Sequence, residues 1–183
     1  DENHSFNSRI RALIDLKLAG YQVGTGVMIG LPFQTAEHLA DDLLFFRDFD
    51  IDMCGMGPYI EHSQTPMWPL RNNILPPEER LTLSLKMVAL LRLMMPDINI
   101  AATTAMQTLH PEGREMAIMA GANVIMPNMT LQQVRKEYQI YENKPGIEYD
   151  AAISKSKIEQ FLTQKNIPIG WNHWGDSVRD SNR

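Results

Sequence analysis

The amino-acid sequence predicts an α/β fold in which parallel strands alternate with helices. Short apolar stretches and longer stretches with helical spacing of apolar residues follow one another four times along the 183 residues. The short stretches are apolar on both faces, as are the strands of a parallel sheet that helices cover. Two architectures fit: an open doubly wound sheet, and half of a (β/α)8 barrel, since a whole barrel takes about 200–250 residues.

The first part of the chain contains two strand–helix units. Residues 5–19 have the apolar spacing of a helix, and residues 21–31 form a predicted strand that Pro32 closes. Thr35 is a suitable N-cap for the next helix, TAEHLADDLLFFRDF, and residues 51–60, IDMCGMGPYI, form the second predicted strand.

The second part continues the alternation after a proline-rich loop between Thr65 and Pro76. The predicted elements are a helix over 77–94, a strand over 98–106, a helix over 111–121, a short strand over 123–127, a helix capped by Thr130 and Gln133 that runs through Tyr141, and a helix over 151–165. The tail, IPIGWNHWGDS, is predicted to be irregular, with Trp171 and Trp174 packing it onto the body of the protein.

Composition and charge argue against several classes of protein. With 17 basic and 22 acidic residues the formal charge is −5, and without a basic cluster the chain is not expected to bind nucleic acid. No apolar run approaches the roughly 18 residues that would cross a bilayer, so no membrane partner is expected. The single cysteine, Cys54, excludes an internal disulfide and a multi-cysteine metal site made by this chain alone, and it indicates a reducing, cytoplasmic setting. The first residues, DENHSF, indicate a processed terminus or a fragment.

In both architectures a ligand site is expected at the carboxyl ends of the strands. Those ends carry small, apolar and hydroxyl-bearing residues at positions 30–32, 58–60, 103–106 and 126–128. They include no Ser-His-Asp arrangement and no adjacent carboxylates, so the sequence predicts a pocket for a sizeable, partly apolar ligand and leaves the demanding chemistry to a cofactor. Glu61, His62 and His110 follow strand ends but match no metal-ligand spacing, and no metal site is predicted.

Glycines at positions 24, 26 and 30 lie within the first predicted strand. Their spacing is GxGxxxG and they do not open a helix, so a dinucleotide-binding loop is poorly supported. Two explanations stay open: the missing side chains let a ligand approach the backbone, or they allow close packing within the sheet.

Four stretches, taken together, resemble one enzyme family. They are LKLAGYQVGTGVMIGLPFQT at 16–35, DDLLFFRDFDIDMCGMGPYI at 41–60, LTLSLKMVALLRLMMPDINIAATTAM at 81–106 and GANVIMPNMT at 121–130. In order and spacing they are similar to the C-terminal half of radical S-adenosylmethionine (SAM) enzymes of the biotin synthase-like branch. Within that branch they most resemble the HydE group of FeFe-hydrogenase maturases.

The resemblance implies strands five to eight of a radical-SAM (β/α)8 TIM barrel for residues 1–141, and a C-terminal helix and tail packed on the barrel for residues 142–183. Members of the family cleave SAM with a 4Fe-4S cluster to form a 5′-deoxyadenosyl radical, and the resemblance implies that this chemistry serves hydrogenase maturation. The cluster motif CxxxCxxC is absent from this chain, which implies that the cluster ligands lie outside it and that the chain alone is inactive. The implied partners are the N-terminal half of the barrel, a small-molecule substrate and hydrogenase maturation proteins.

Family roles carry over to individual residues of this sequence. Arg9 matches the position that pairs with the SAM carboxylate, a task that suits a bidentate guanidinium. The other positions that match SAM-binding residues are Met28, Gly30, Pro32, Met53, Pro58 and Ile60. The positions that match the substrate cavity are Thr103, Thr104, Ala105 and Met126. Tyr138 and Tyr141 match tyrosines near that cavity, where a phenol would hydrogen-bond substrate or carry radical density in catalysis.

The sequence departs from the family at two places, and rival functions stay open. Phe33 stands in GLPFQT where the family often has GLPGQT, and AAISKSKIEQF lacks the cysteines that bind an accessory cluster in some HydE proteins. A methylornithine synthase-like or biotin synthase-like enzyme therefore remains an alternative. A non-catalytic half-barrel scaffold is another. An open α/β domain for a phosphorylated ligand is a third, although the turn after Gly30 lacks the glycine that would cradle phosphate.

Overall fold

The computed structural model describes residues 5–127, 133–134 and 151–179 and contains a parallel sheet. Its strands, in spatial order, are β1 (Gly24–Ile29), β2 (Met53–Pro58) and β3 (Asn99–Ala102). Gly24 pairs with Met53, and Met53 pairs with Asn99, so the strands begin at the same level and point the same way. The described chain therefore has the parallel α/β architecture that the strand–helix alternation predicts.

Helices connect and flank the strands. Within the described residues they are α1 (Phe6–Leu18), α2 (Ala36–Phe49), a 3-10 helix (Trp68–Asn73), α3 (Pro77–Met94), α4 (Thr104–Leu109), α5 (Gly113–Ala120) and α6 (Ala151–Gln164). α2 begins where predicted because the Thr35 hydroxyl accepts the backbone N–H of His38. α3 has the predicted bounds because Pro77 occupies its first turn and Pro96 follows its end. None of the helices described is both long and apolar enough to cross a membrane.

The third strand is shorter than the sequence predicts. The strand predicted over 98–106 ends at Ala102, and the chain turns directly into α4. The Thr103 hydroxyl donates to the carbonyl oxygen of Met56 at 3.3 Å, so this side chain contacts β2 where the strand pairing ends. The predicted extension is therefore wrong, because β-branched threonines that favour strands here begin a helix.

The strand predicted over 123–127 is reduced to one bridge between Val124 and Ala101. The side-chain oxygen of Asn123 accepts the backbone N–H of Ile100 at 2.8 Å, so a side chain takes part in the pairing with β3 at this point. The helix predicted from Thr130 through Tyr141 lies outside the described residues.

The hydrophobic core lies on one face of the sheet. Alternate strand residues are fully buried there, among them Ile29, Cys54, Met56 and Ile100. The same apolar cluster contains Leu39, Leu43 and Phe46 of α2, Met87, Val88 and Leu91 of α3, and Ala117 of α5. Because successive side chains of a strand point to opposite faces, the residues between them lie on the other face of the sheet. The described helices leave that face largely open.

The C-terminal tail is attached to the amino end of the sheet by polar contacts. The side-chain amide of Asn99 donates to the carbonyl oxygen of Gly175 at 2.7 Å. Ser177 is fully buried and its hydroxyl donates to a backbone carbonyl, while the Arg179 guanidinium lies 2.8 Å from the carboxylate of Asp50. The tail thus covers the end of the sheet opposite to the expected ligand site.

The prediction that Trp171 and Trp174 pack the tail onto the body is wrong. Trp174 is 92% exposed and Trp171 is 52% exposed, with the Lys155 ammonium 4.4 Å from the centre of the Trp171 ring. Hydrogen bonds and ion pairs of the tail hold it in place, and these contacts leave both indole rings at the surface.

Candidate functional site

The uncovered face of the sheet is the candidate ligand-binding surface. Gly24, Gly26 and Met28 of β1 pair with Met53, Gly55 and Gly57 of β2, and these residues share that face. A shallow groove of about 520 Å³ runs along it, lined by residues 24–28, Met53 and Gly55. Met28 is 54% exposed, and within the described chain β1 pairs with β2 alone. A face of this kind offers apolar contact and close access to the backbone.

The glycines on this face are not all required for the same physical reason. A side chain at Gly26 would overlap the carbonyl group of Gly55, and one at Gly57 would overlap the hydroxyl of Thr103. The sequence left two explanations open for these glycines, and close packing is the one that explains Gly26. Gly55 instead faces open space, because no atom of the described residues lies within 4 Å of the position that a Cβ would take. Ligand access to the backbone is thus available at Gly55.

The turn after β1 is held by the side chain of Gln34. Its Oε1 accepts the backbone N–H of Gly30 at 2.6 Å and that of Leu31 at 3.3 Å, while its Nε2 donates to the carbonyl of Met28 at 3.1 Å. Pro32 and Phe33 occupy the centre of the turn, which the Gln34 N–H closes by donating to the Leu31 carbonyl at 3.1 Å. Phe33 has a φ of +64°, a left-handed conformation that bulky residues rarely adopt.

The segment after β2 is held by a buried arginine. Arg80, in the first turn of α3, is 1% exposed, and its Nη1 and Nη2 atoms donate to the two carboxylate oxygens of Glu61 at 2.7 and 3.3 Å. Nη1 also donates to the carbonyl of Tyr59, whose own N–H donates to the carbonyl of Ile29 at 2.8 Å. These contacts join the C-terminal ends of β1 and β2 to the start of α3 at the carboxyl edge of the sheet.

The structure brings most of the expected SAM-binding residues to that edge. Ile29 pairs with Pro58, so Met28, Gly30 and Pro32 lie beside Pro58 and Ile60. Arg9 lies in the first turn of α1 and is exposed. Met53 differs from these, because it begins β2 and lies at the amino end of the open face.

The expected substrate-binding residues follow β3 and the bridge at Val124. Thr103, Thr104 and Ala105 come directly after the end of β3 and are partly buried. Met126 is 57% exposed. Tyr138 and Tyr141 lie outside the described residues.

Cys54 does not fit the role of a cluster ligand. It is fully buried on the core face of β2, and burial, with a smaller effect of the Asp42 charge, raises the pKa of its thiol to about 12. No group of three or more His, Cys, Asp or Glu side chains able to share a metal ion occurs in the part of the chain that the structure describes. His62 and His110 each accept a backbone N–H through Nδ1, from Gln64 and Glu112, within their own loops.

Sequence reasoning missed the roles of Arg80 and Gln34. An arginine after two glutamates in the first turn of a helix has the pattern of a solvated residue, yet its partner Glu61 is 19 residues away in the chain. The sequence did contain one signal for this contact, the carboxylate of Glu61 directly after a strand end. From the sequence alone, that carboxylate is considered only as a metal ligand. The Tyr59 hydroxyl was also missed; it is buried without a hydrogen-bond partner in the described chain.

Comparisons with known proteins agree with this geometry. Residues 60–169 match the model of the Biotin and Thiamin Synthesis associated domain. The chain is 50% identical over 140 residues to the [FeFe] hydrogenase maturase subunit HydE of Thermotoga maritima, a match that covers 76% of this chain and 38% of that protein. It is also similar in structure to methylornithine synthase (PylB), with a TM-score of 0.66 and 24% identity over 91% of this chain and 46% of the other. The chain thus spans less than half the length of these two relatives, and both the α/β barrel-type fold and the resemblance to HydE are confirmed.

Proposed function

The chain belongs to the Biotin and Thiamin Synthesis associated domain family, and on that premise we propose that it is the SAM- and substrate-binding half of a HydE-like radical-SAM enzyme. The whole enzyme would form a 5′-deoxyadenosyl radical for FeFe-hydrogenase maturation. The observation that carries the proposal is the open face of the sheet, which meets the carboxyl edge where the SAM-matching residues lie. The 50% identity to a HydE maturase subunit favours this function over the alternatives.

The proposed partner is the N-terminal half of the same barrel. β1 pairs on one side only within the described sheet, and an unpaired strand edge is normally covered by another strand. α1 has no buried residue, and Phe6 and Leu18 on it are 74% and 81% exposed. A preceding half-barrel would pair with β1, cover the apolar side of α1 and enclose the groove on the open face.

SAM would bind along the carboxyl edge of the sheet. The Arg9 guanidinium would pair with the SAM carboxylate, and Met28, Gly30 and Pro32 would border the ligand. Pro58 and Ile60 would hold the adenine through backbone atoms and apolar contact. Met53, farther along the open face, would contribute apolar surface deeper in the enclosed groove.

The substrate would lie beside Thr103, Thr104, Ala105 and Met126, with Tyr138 and Tyr141 as catalytic residues near it. A 4Fe-4S cluster, with ligands outside this chain, supplies when bound the electron that cleaves SAM reductively. The residues of this chain orient SAM and substrate toward each other and, once the barrel is closed, exclude water from a reactive radical. The chain alone would be inactive, because its one thiol is buried in the core.

The cellular setting and the organisation of the chain are part of the same proposal. A reducing cytoplasm suits a cluster-dependent enzyme and a free cysteine, and hydrogenase maturation proteins would be its partners in the cell. Residues 1–141 would complete the barrel, and residues 142–183 would form a helix and tail packed on it.

The proposal is tested on the gene and on the whole protein. Sequencing upstream of the Asp1 codon should show about 150–200 in-frame codons with a CxxxCxxC motif. The full-length protein, reconstituted anaerobically with iron and sulfide, should release 5′-deoxyadenosine from SAM when a reductant is added, and residues 1–183 alone should release none. A frame that opens at Asp1 without the motif, and a stable monodisperse chain that does not bind SAM, would instead support the scaffold alternative.

A further inference from the structure

We infer that Arg80 is a positioning residue for the SAM-binding edge, acting through Glu61, the Tyr59 carbonyl and Gly30. The inference rests on the proposed function and deepens it. The residues expected to contact SAM lie on two separate segments, the turn after β1 and the segment after β2. Arg80 belongs to neither segment, yet it contacts both.

On the β2 side, Arg80 holds the segment at three points. Its Nη1 and Nη2 atoms donate to the two oxygens of Glu61 at 2.7 and 3.3 Å, and Nη1 also donates to the carbonyl of Tyr59. Ile60, the residue expected to lie against the adenine, is between these two anchors. A paired guanidinium and carboxylate is a rigid, directional contact, so the position of Ile60 is defined on both sides.

On the β1 side, the contact is steric. Gly30 has a φ of +83°, and a Cβ built there would lie 2.6 Å from Cγ of Arg80. The alkyl part of the Arg80 side chain therefore occupies the space beside Gly30, which only glycine leaves free. The same side chain thus sets the distance between the β1 turn and the β2 segment, the two sides of the expected SAM site.

Stability alone is a poor explanation for this arginine. The guanidinium is almost fully buried, and its Nε atom has no hydrogen-bond partner in the described chain. Burying a charged group with an unsatisfied N–H costs free energy that an apolar side chain of similar volume would not cost. An arginine is needed, however, if two oxygens of Glu61 and a backbone carbonyl must be held at once.

The test uses the full-length protein with a reconstituted cluster, and SAM cleavage is followed through the 5′-deoxyadenosine released. The KM for SAM, the kcat and the midpoint of thermal unfolding are measured for each variant. Glu61→Gln is the main variant, because the Glu61 side chain is 34% exposed and glutamine keeps one oxygen that can accept a hydrogen bond from Arg80. Arg80→Lys keeps the charge but not the planar fork. Glu79→Gln, on the exposed first turn of α3, is the matched control with the same change of charge.

Glu61→Gln should raise the KM for SAM about tenfold while kcat stays within about twofold of the wild-type value. Arg80→Lys should raise the KM to an intermediate value, and Glu79→Gln should change neither constant. An unchanged KM in Glu61→Gln would overturn the inference, and so would a loss of kcat at constant KM that follows a lowered unfolding midpoint. A wild-type protein that neither binds nor cleaves SAM would overturn the proposed function and with it this inference.

Discussion

Arg92 donates from Nη2 to the side-chain oxygen of Asn123 at 2.9 Å, and this contact joins the end of α3 to the segment after α5. The same guanidinium donates to the carbonyls of Gly121, Pro96 and Ile98 at 2.9, 3.0 and 2.8 Å. The Asn123 oxygen in turn accepts the backbone N–H of Ile100. One partly buried side chain therefore fixes the geometry of three chain segments at the amino end of the sheet.

Arg92→Met should lower the free energy of unfolding by about 2–3 kcal/mol, because several charged hydrogen bonds are lost and backbone carbonyls are left without donors. Urea unfolding followed by circular dichroism measures the change. Arg11→Met is the control: in the part of the chain that the structure describes, Arg11 pairs only with Asp15 on the exposed side of α1, at 3.1 Å, and its loss should cost about 0.5 kcal/mol or less. Equal losses in the two variants would show that the Arg92 contacts add little stability.

Phe33→Gly should raise the free energy of unfolding by about 0.5–1 kcal/mol. The left-handed conformation of Phe33 costs an L-residue about 1–2 kcal/mol, and glycine offsets part of that gain by its greater backbone entropy in the unfolded chain. Phe33→Asn, which tolerates the same conformation, should also stabilise the protein. Gly30→Ala should have the opposite sign, since it adds a Cβ at a φ of +83° beside Arg80. Destabilisation by Phe33→Gly would show that the exposed phenyl ring makes contacts worth more than the strain.

The elements with clear ends could be predicted from the sequence, whereas contacts between distant residues could not. Pro77 and Pro96 define α3, and the pairing of Ile29 with Pro58 shows that the first two predicted strands end at the same edge of the sheet. The ion pair of Arg80 with Glu61 could not be predicted, because the carboxylate after the strand end does not indicate its partner and helical spacing relates neighbours on one element only.

The exposed tryptophans show that contacts of the tail with distant residues could not be predicted from the sequence either. Apolar rings suggested burial of Trp171 and Trp174, but the tail is attached through the backbone of Gly175 and the side chains of Ser177 and Arg179. Hydropathy does not report hydrogen bonds of this kind, since their partners lie on strands and loops far away in the chain.

Cys54 should resist alkylation in the folded protein. With a thiol pKa of about 12, only about 1 in 10,000 molecules carries the thiolate at pH 8, and burial hinders the reagent further. Iodoacetamide labelling followed by mass spectrometry should show no modification in buffer and complete modification in urea. Ser8→Cys, at an exposed position of α1, is the control and should react readily in the folded state. Fast labelling of native Cys54 would contradict its place in the core.

Asp42→Asn should stabilise the protein at neutral pH and have little effect at acidic pH. Burial, with a smaller effect of the Asp41 charge, raises the pKa of the Asp42 carboxyl above its usual value. A raised folded-state pKa gives a stability contribution that is present below the unfolded-state pKa and is lost as the pH rises through the folded-state pKa. The ionised carboxylate is therefore the unfavourable form at pH 7, and the amide removes it. Thermal unfolding of the wild type and of Asp42→Asn between pH 3 and pH 7 measures the difference in stability. If the variant and the wild type differed in unfolding midpoint by the same amount at every pH, the stabilisation would have a cause other than ionisation of Asp42.

Arg9→Ala should weaken SAM binding to the full-length protein by about 1.5–3 kcal/mol, the range for a hydrogen bond to a charged group. Arg9 is exposed near the start of α1, and this helix precedes β1 and so begins on the side of the sheet where the strands end. Arg11→Ala is a matched control on the same helix, because residues two positions apart point to different faces and Arg11 already pairs with Asp15. Isothermal titration calorimetry with SAM should show the loss for Arg9→Ala only. An unchanged affinity would remove Arg9 from the site, and equal losses in both variants would indicate a general effect of positive charge on α1.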